Sequence, residues 1–176
     1  MSRTDGDENE DFLNQFWLQR HNMRQVVRSK RGRKALTDLR AALLALPEPR
    51  LIGRAMSTAG TVDLTNRASY TVAEYDQLLA DEGVGVCAVG AYVWWQHVKA
   101  GDDPTQAMRD LPLNADYDGG SWETTELGVK AGLTQTLAWV LMSQNDDIYE
   151  DLTPEARYIA FREWIDKTLA ESAVTA

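Results

Sequence analysis

Residues 34–46 read KALTDLRAALLAL. Leu36, Leu39, Leu43 and Leu46 recur at spacings of three, four and three, so they share one stripe of a helix with 3.6 residues per turn. A half-buried strand would alternate apolar and polar residues, and this segment does not. Pro47 and Pro49 follow directly, and neither can continue a helix. The stretch decides the fold class because its period returns along the rest of the chain.

Toward the C-terminus the helix signals are regular. Thr71-Val-Ala-Glu74 is a capping box in which hydroxyl and carboxylate satisfy exposed amides, predicting a helix to about Asp81. Gly83 and Gly85 are expected to loosen the chain before Cys87, where another helix runs to about Lys99. Asp103-Pro104 pairs an N-cap with proline at the first helical position. A turn-rich loop over 111–122 precedes helices near Thr124 and Thr134. LTQTLAWVLM (133–142) is the most apolar run, too short for the roughly 20 residues of a membrane span, and reads as a buried core helix. Thr153-Pro154-Glu155 begins the last helix, with Tyr158, Phe161, Ile165 and Leu169 on its buried side. Between these, RLIGRAM (50–56) reads as a short helix, and GTVDLTNRASY (60–70) as a loop or edge strand. No internal repeat is visible. The expectation is an all-α protein, a compact multi-helix single domain with a charged helical arm at its N-terminus.

That arm is legible in the charge pattern. Asp5, Asp7, Glu8, Glu10 and Asp11 crowd the start, and residues 1–10 read as a disordered acidic tail with nothing to bury. From Asp11 the pattern becomes helical through about Ser29, with Phe12, Phe16 and Met23 on one side and a break expected at Gly32. Seven of the 18 basic residues lie between Arg20 and Lys34. The predicted organisation is therefore a tail (1–10), an arm (11–34) and a globular helical domain (35–176).

The net charge of −9 argues against attraction of the whole surface to nucleic acid or anionic lipid. An apolar fraction of 44% with six tryptophans is that of a globular chain. A single cysteine rules out an intramolecular disulfide, and MSRTDGDENEDF lacks the apolar core of a secretory signal. A cytoplasmic location is expected.

Four groups of residues are candidates for chemistry or binding. Cys87 sits at a predicted helix start, where the dipole favours thiolate. A nucleophilic thiol also needs a base, and of the two histidines His97 lies ten residues, about 15 Å, up the same helix, while His21 lies among arginines. With Gly90 and small neighbours around it, Cys87 reads as a packing residue; a catalytic role and a zinc site are disfavoured. Asn114, Asp116 and Asp118, followed by Gly119, resemble the start of a calcium loop, but its twelfth position is Thr125 rather than glutamate, so a polar turn is the simpler reading. Arg20, Arg24 and Arg28, spaced by four, line one helix face, and Lys30, Arg31, Arg33 and Lys34 continue the charge into the next turn, with Arg31-Gly32-Arg33 as a flexible tip. Such a stripe suits phosphates, an acidic protein, or the acidic body of the chain itself. Asn145 and Asp146 close the most apolar helix and read as structural caps.

Three segments taken together carry a resemblance. Val86-Cys-Ala-Val-Gly-Ala91, then Leu137-Ala-Trp-Val140 leading to Asn145-Asp146, then Thr153-Pro154-Glu155 opening a helix that ends Glu163-Trp164-Ile165, resemble a family of small actinobacterial and actinobacteriophage proteins with a Cys-x-x-Gly-Ala helix start and a downstream Asn-Asp. The resemblance spans roughly residues 35–170; Gln144 stands where those relatives often carry Trp. It implies no established activity and no cofactor. It implies that Cys87 and Asn145-Asp146 meet in the fold.

The function expected from these readings is non-catalytic: an accessory protein acting on a protein partner or its own copy through Phe12, Phe16, Trp17, Arg20, Arg24 and Arg28. A nucleic-acid-associated regulator using the basic arm is the alternative, and an enzyme using Cys87 the second.

Overall fold

In the computed structural model of the protein, residues 23–53, 58, 73, 77, 80, 83–111, 122–149 and 151–174 are described. Helical residues 23–28 lead into α1 (Lys30–Ala45). Then follow α2 (Ala88–Ala100), α3 (Pro104–Arg109), α4 (Trp122–Lys130), α5 (Gln135–Ser143), a π-helix (Gln144–Ile148) that continues α5, and α6 (Pro154–Val174). Among the described residues there is no strand, and the class is all-α.

α2 lies at the centre because its first half has no polar face. Residues Ala88 to Trp94 are all buried, which a helix achieves only when surrounded. It packs against α1, α3, α4 and α5, while α6 covers the other side of α1. The leucine stripe of α1 faces this core: Leu36, Leu39 and Leu43 are at most 1% exposed, and each such burial is worth roughly 1.5–3 kcal/mol. Gly128 of α4 is needed for close approach, since a Cβ there would stand 3.1 Å from both Leu133 and Val89.

Local stop and start signals act as their chemistry requires. Asp103 accepts from Gln106 N at 2.9 Å, Thr134 from Leu137 N at 3.2 Å and Thr153 from Ala156 N at 3.3 Å. Gly101, with φ of 101°, ends α2 in the left-handed region. The break in the arm falls at Ser29 rather than Gly32. Ser29 caps α1 by accepting from Gly32 N at 3.0 Å, so residues 30–34 are its first turn and not a flexible tip. Gly32 is buried in that corner, where a Cβ would come within 2.1 Å of the Val26 carbonyl oxygen.

Residues 50–53 also differ from expectation. Leu51 and Ile52 form no helix; they run through the core at 0% exposure. Their four main-chain polar groups are nevertheless all bonded. Leu51 N donates to Pro154 O (3.0 Å) and Ile52 N to Val86 O (3.1 Å). Leu51 O accepts from Arg157 Nη1 (3.0 Å) and Ile52 O from Asn145 Nδ2 (2.9 Å). Arg157 is itself 2% exposed and donates a further bond from Nε to Tyr149 O at 3.3 Å. Gly83 and Gly85 do not loosen the chain here. A Cβ on Gly85 would meet Ile52 Cγ2 at 2.9 Å, and Gly83, at φ of 71°, lies against the Arg50 guanidinium.

One polar contact joins α1 to α2 at the surface. Asp38 pairs with Lys34 (3.0 Å) and with Lys99 (3.1 Å). Burial works to raise the Asp38 carboxyl, but hydrogen bonds from the two ammonium groups outweigh it and hold the carboxyl below its usual range. Its contribution is complete at neutral pH and is lost as pH falls through the carboxylate range.

Replacing Arg157 by methionine strands the buried Leu51 carbonyl, at roughly 1–3 kcal/mol, whereas the Tyr149 carbonyl keeps its bond from Leu152 N at 3.1 Å. Urea unfolding is expected to show a loss of about 1–3 kcal/mol for Arg157→Met, only partly recovered in Arg157→Lys. A loss below about 0.5 kcal/mol would mean that these bonds do not hold the fold.

Candidate functional site

Two places merit examination as sites: the buried polar centre around Cys87, and a groove on the outer face. Cys87 is the N-cap of α2, and its Sγ accepts from Gly90 N at 3.4 Å, taking the part usually played by a serine or aspartate. The helix start favours thiolate, but burial opposes it, and the nearby Asp146 carboxylate adds to the opposition; together they push the thiol up to about 12. Burial wins by a wide margin. His97 is exposed at the far end of α2, with Nδ1 2.9 Å from Asp102 Oδ2, and supplies no base to the thiol.

Asn145 and Asp146 stand in the π-helix that continues α5. The widened turn holds Asn145 fully buried, where its Nδ2 reaches both Ile52 O and Asp146 Oδ1. Asn145 Oδ1 is buried without a hydrogen-bond partner. The structure thus brings Cys87 and Asn145-Asp146 to one place, joined through the Ile52–Val86 bond. What the arrangement does chemically is satisfy main-chain groups. Among the described residues no three His, Cys, Asp or Glu side chains gather as metal ligands would. Asn114, Asp116 and Asp118 lie outside the described residues.

The groove lies between helical residues 23–28, the α5–π-helix junction and α6, and has a volume of about 510 Å³. Met23 and Val27 line it on one side, and Val140, Ile148 and, from α6, Trp164 line the apolar remainder. Ile148 is 57% exposed, a large aliphatic side chain lining the groove and left in water. Trp164 is half-buried, set edge-on to Phe161 with ring centres 5.3 Å apart. The first wall is fixed in position: Val27 is in the core, Ser29 Oγ donates to Val26 O at 2.7 Å, and Arg28 Nη2 pairs with Glu171 at 2.8 Å.

Charge is unevenly distributed around this groove. Arg24, Arg28 and Lys167 face one carboxylate, Glu171. Arg28 is engaged by Glu171, whereas Arg24 and Lys167 are exposed and form no ion pair among the described residues. Of the remaining basic candidates, Lys30 and Arg31 are exposed, Arg33 is half-buried, and Lys34 is bound to Asp38. The basic stretch is therefore split between a groove rim, a helix start and an internal salt bridge. Phe12, Phe16, Trp17 and Arg20 lie outside the described residues.

Sequence reasoning missed three residues of this region. Ile148 follows Asn145-Asp146 in what reads as a polar helix end. Trp164 has the spacing of a core residue. Lys167 is one cation among many. A signal for Ile148 did exist: an isolated large aliphatic residue between Asp147 and the acidic Glu150-Asp151 has no reason for burial. Trp139, inside the run expected to be buried, is 43% exposed.

No protein-family model, curated protein or solved structure matches the chain.

The native thiol is expected to be inert to Ellman's reagent at pH 8 and to react fully in 6 M guanidinium, since only unfolding exposes it. The folded thiol titrates near 12 and the unfolded one near its ordinary ~8.5, so stability is complete below about pH 8.5 and falls toward 12. Part of that alkaline loss is expected to vanish in Cys87→Ser, measured as the urea midpoint against pH. Fast native labelling at pH 8 would contradict the burial argument.

Proposed function

We propose that the chain is a non-catalytic binding protein that engages a protein partner through the groove between residues 23–28, the π-helix and α6. One observation carries this reading: Ile148 and the half-buried Trp164 leave an apolar floor open to solvent, beside cations that nothing in the described residues neutralises. A closed core would bury such side chains, and a pocket for chemistry would bring titratable groups together with a perturbed acid or base. Here the perturbed thiol is buried, and His97, exposed at the far end of α2, supplies it no base. Affinity would come from the apolar side chains, and the cations would orient the encounter. Phe12, Phe16 and Trp17, upstream of Met23 in sequence, add further large apolar side chains.

The resemblance to small actinobacterial and actinobacteriophage proteins suggests the setting, a bacterial or phage accessory protein working in the cytoplasm. Among the described residues no helix is long and apolar enough to cross a membrane. The nucleic-acid reading is weakened by the division of the basic stretch, because Arg28 and Lys34 are taken up by carboxylates.

The test is capture from an actinobacterial lysate by the tagged full chain, with and without nuclease, compared among wild type, Ile148→Asp and Ile159→Asp. Ile159 is 50% exposed on α6 but does not line the groove, so it serves as the control. A stoichiometric protein that survives nuclease is expected with wild type and Ile159→Asp and lost with Ile148→Asp, at unchanged urea midpoints. Capture of nucleic acid alone, or equal capture by Ile148→Asp, would defeat the proposal.

A further inference from the structure

The groove constrains what can occupy it, on the reading just given that it is a protein-contact surface. Its walls are helical on every side, and among the described residues no sheet edge borders it. An extended peptide entering it would find no strand to pair with and would lose hydrogen bonds to water for its own main chain. A helix brings its main chain already satisfied and presents side chains alone, at three- and four-residue spacing. A volume of about 510 Å³ admits a few large side chains and not the face of a folded domain.

Charge narrows the partner further. The chain as a whole carries −9, and most of its surface repels acidic proteins. Arg24 on one wall and Lys167 on α6 stand unpaired among the described residues at this groove, against the lone Glu171, which is engaged by Arg28. A phosphate backbone would meet Glu171 and an apolar floor. An acidic helix would instead set carboxylates at the rim and apolar side chains against Ile148 and Trp164.

We infer that the groove receives an amphipathic helix of a partner protein, with acidic residues flanking two or three large apolar side chains. The partner class is thus an acidic, aromatic- or leucine-bearing helical segment. Ile148 and Trp164 supply the floor, and Arg24 and Lys167 select the charge.

The probe is a fluorescein-labelled peptide DGDENEDFLNQFW, whose sequence, that of residues 5–17, combines five carboxylates with three aromatics and a leucine. A second peptide replaces every Asp by Asn and every Glu by Gln. Binding to the full chain is read by fluorescence anisotropy. The acidic peptide is expected to bind, to weaken roughly tenfold or more with Arg24→Glu/Lys167→Glu, and to be lost with Ile148→Asp, all at retained urea midpoints. Equal binding of the neutral peptide would overturn the acidic partner class while leaving the groove as a peptide-binding surface. Binding indifferent to all three substitutions would place the site elsewhere and overturn both. The same titrations are made on the full chain carrying Phe12→Ser, Phe16→Ser and Trp17→Ser, which removes competition from its own acidic segment. Acidic binding that emerges only in this variant supports the assignment and identifies that competitor; no binding of either peptide to either protein overturns assignment and groove reading together.

Discussion

Two buried carbonyls, those of Leu51 and Ile52, set the terms for the rest of the molecule. An extended dipeptide at 0% exposure has no strand beside it among the described residues to absorb its polar groups, and each one left unmet would cost roughly 1–3 kcal/mol. The chain meets them with side chains from two distant elements, Arg157 of α6 and Asn145 of the π-helix. Several features that look unrelated follow from this. Gly85 has no side chain because Ile52 occupies the space, and Cys87 can be small and apolar because the segment beside it is tied to Ile52 through Val86. The π-turn is what allows Asn145 to face inward while Ile148, three residues later, reaches the groove. Core and surface site are two sides of one irregular turn.

The electrostatic design has the same economy. A chain this acidic would be expected to expose its positive charge evenly, to limit self-repulsion. Instead several cations are spent internally: Arg157 in the core, Lys34 and Lys99 on Asp38, Arg28 on Glu171 and Arg40 on Asp166. The exposed pairs among these are individually worth little, on the order of 0.2–1 kcal/mol, so their value lies in placing helices rather than in stability. Arg28–Glu171 is the clearest case, because it holds one wall of the groove against α6. What remains unneutralised at the groove is thereby made distinctive.

Much of the architecture was legible in the sequence, and the reason is that its signals are local. The leucines of α1, the two prolines after it, the Asp103-Pro104 start and the Thr134 and Thr153 caps act within four residues of themselves, and the structure uses them as written. Arg157 was not legible. In PEARYIAFREW it has the look of any helix-surface arginine, and its partner carbonyl lies 106 residues away. The π-turn carries no residue signature, so the inward aim of Asn145 could be suspected from a resemblance but not from spacing. Gly32 misled because glycine usually breaks a helix; here it is inside one, at a corner too tight for a Cβ. The groove was hidden for a similar reason, being assembled from three elements that sequence periodicity reads one at a time.

The separation between Leu51 and Arg157 also has a meaning in time. During synthesis the carbonyl of residue 51 emerges long before the guanidinium that will cap it, and at about 5–20 residues per second the interval of 106 residues lasts roughly 5–20 s. The apolar centre of α2 is made partway through that interval, before the guanidinium exists. The Leu51 carbonyl must therefore wait for α6 to leave the ribosome before its side-chain partner can reach it. Closure of the chain around residues 51–52 thus belongs to the last part of synthesis.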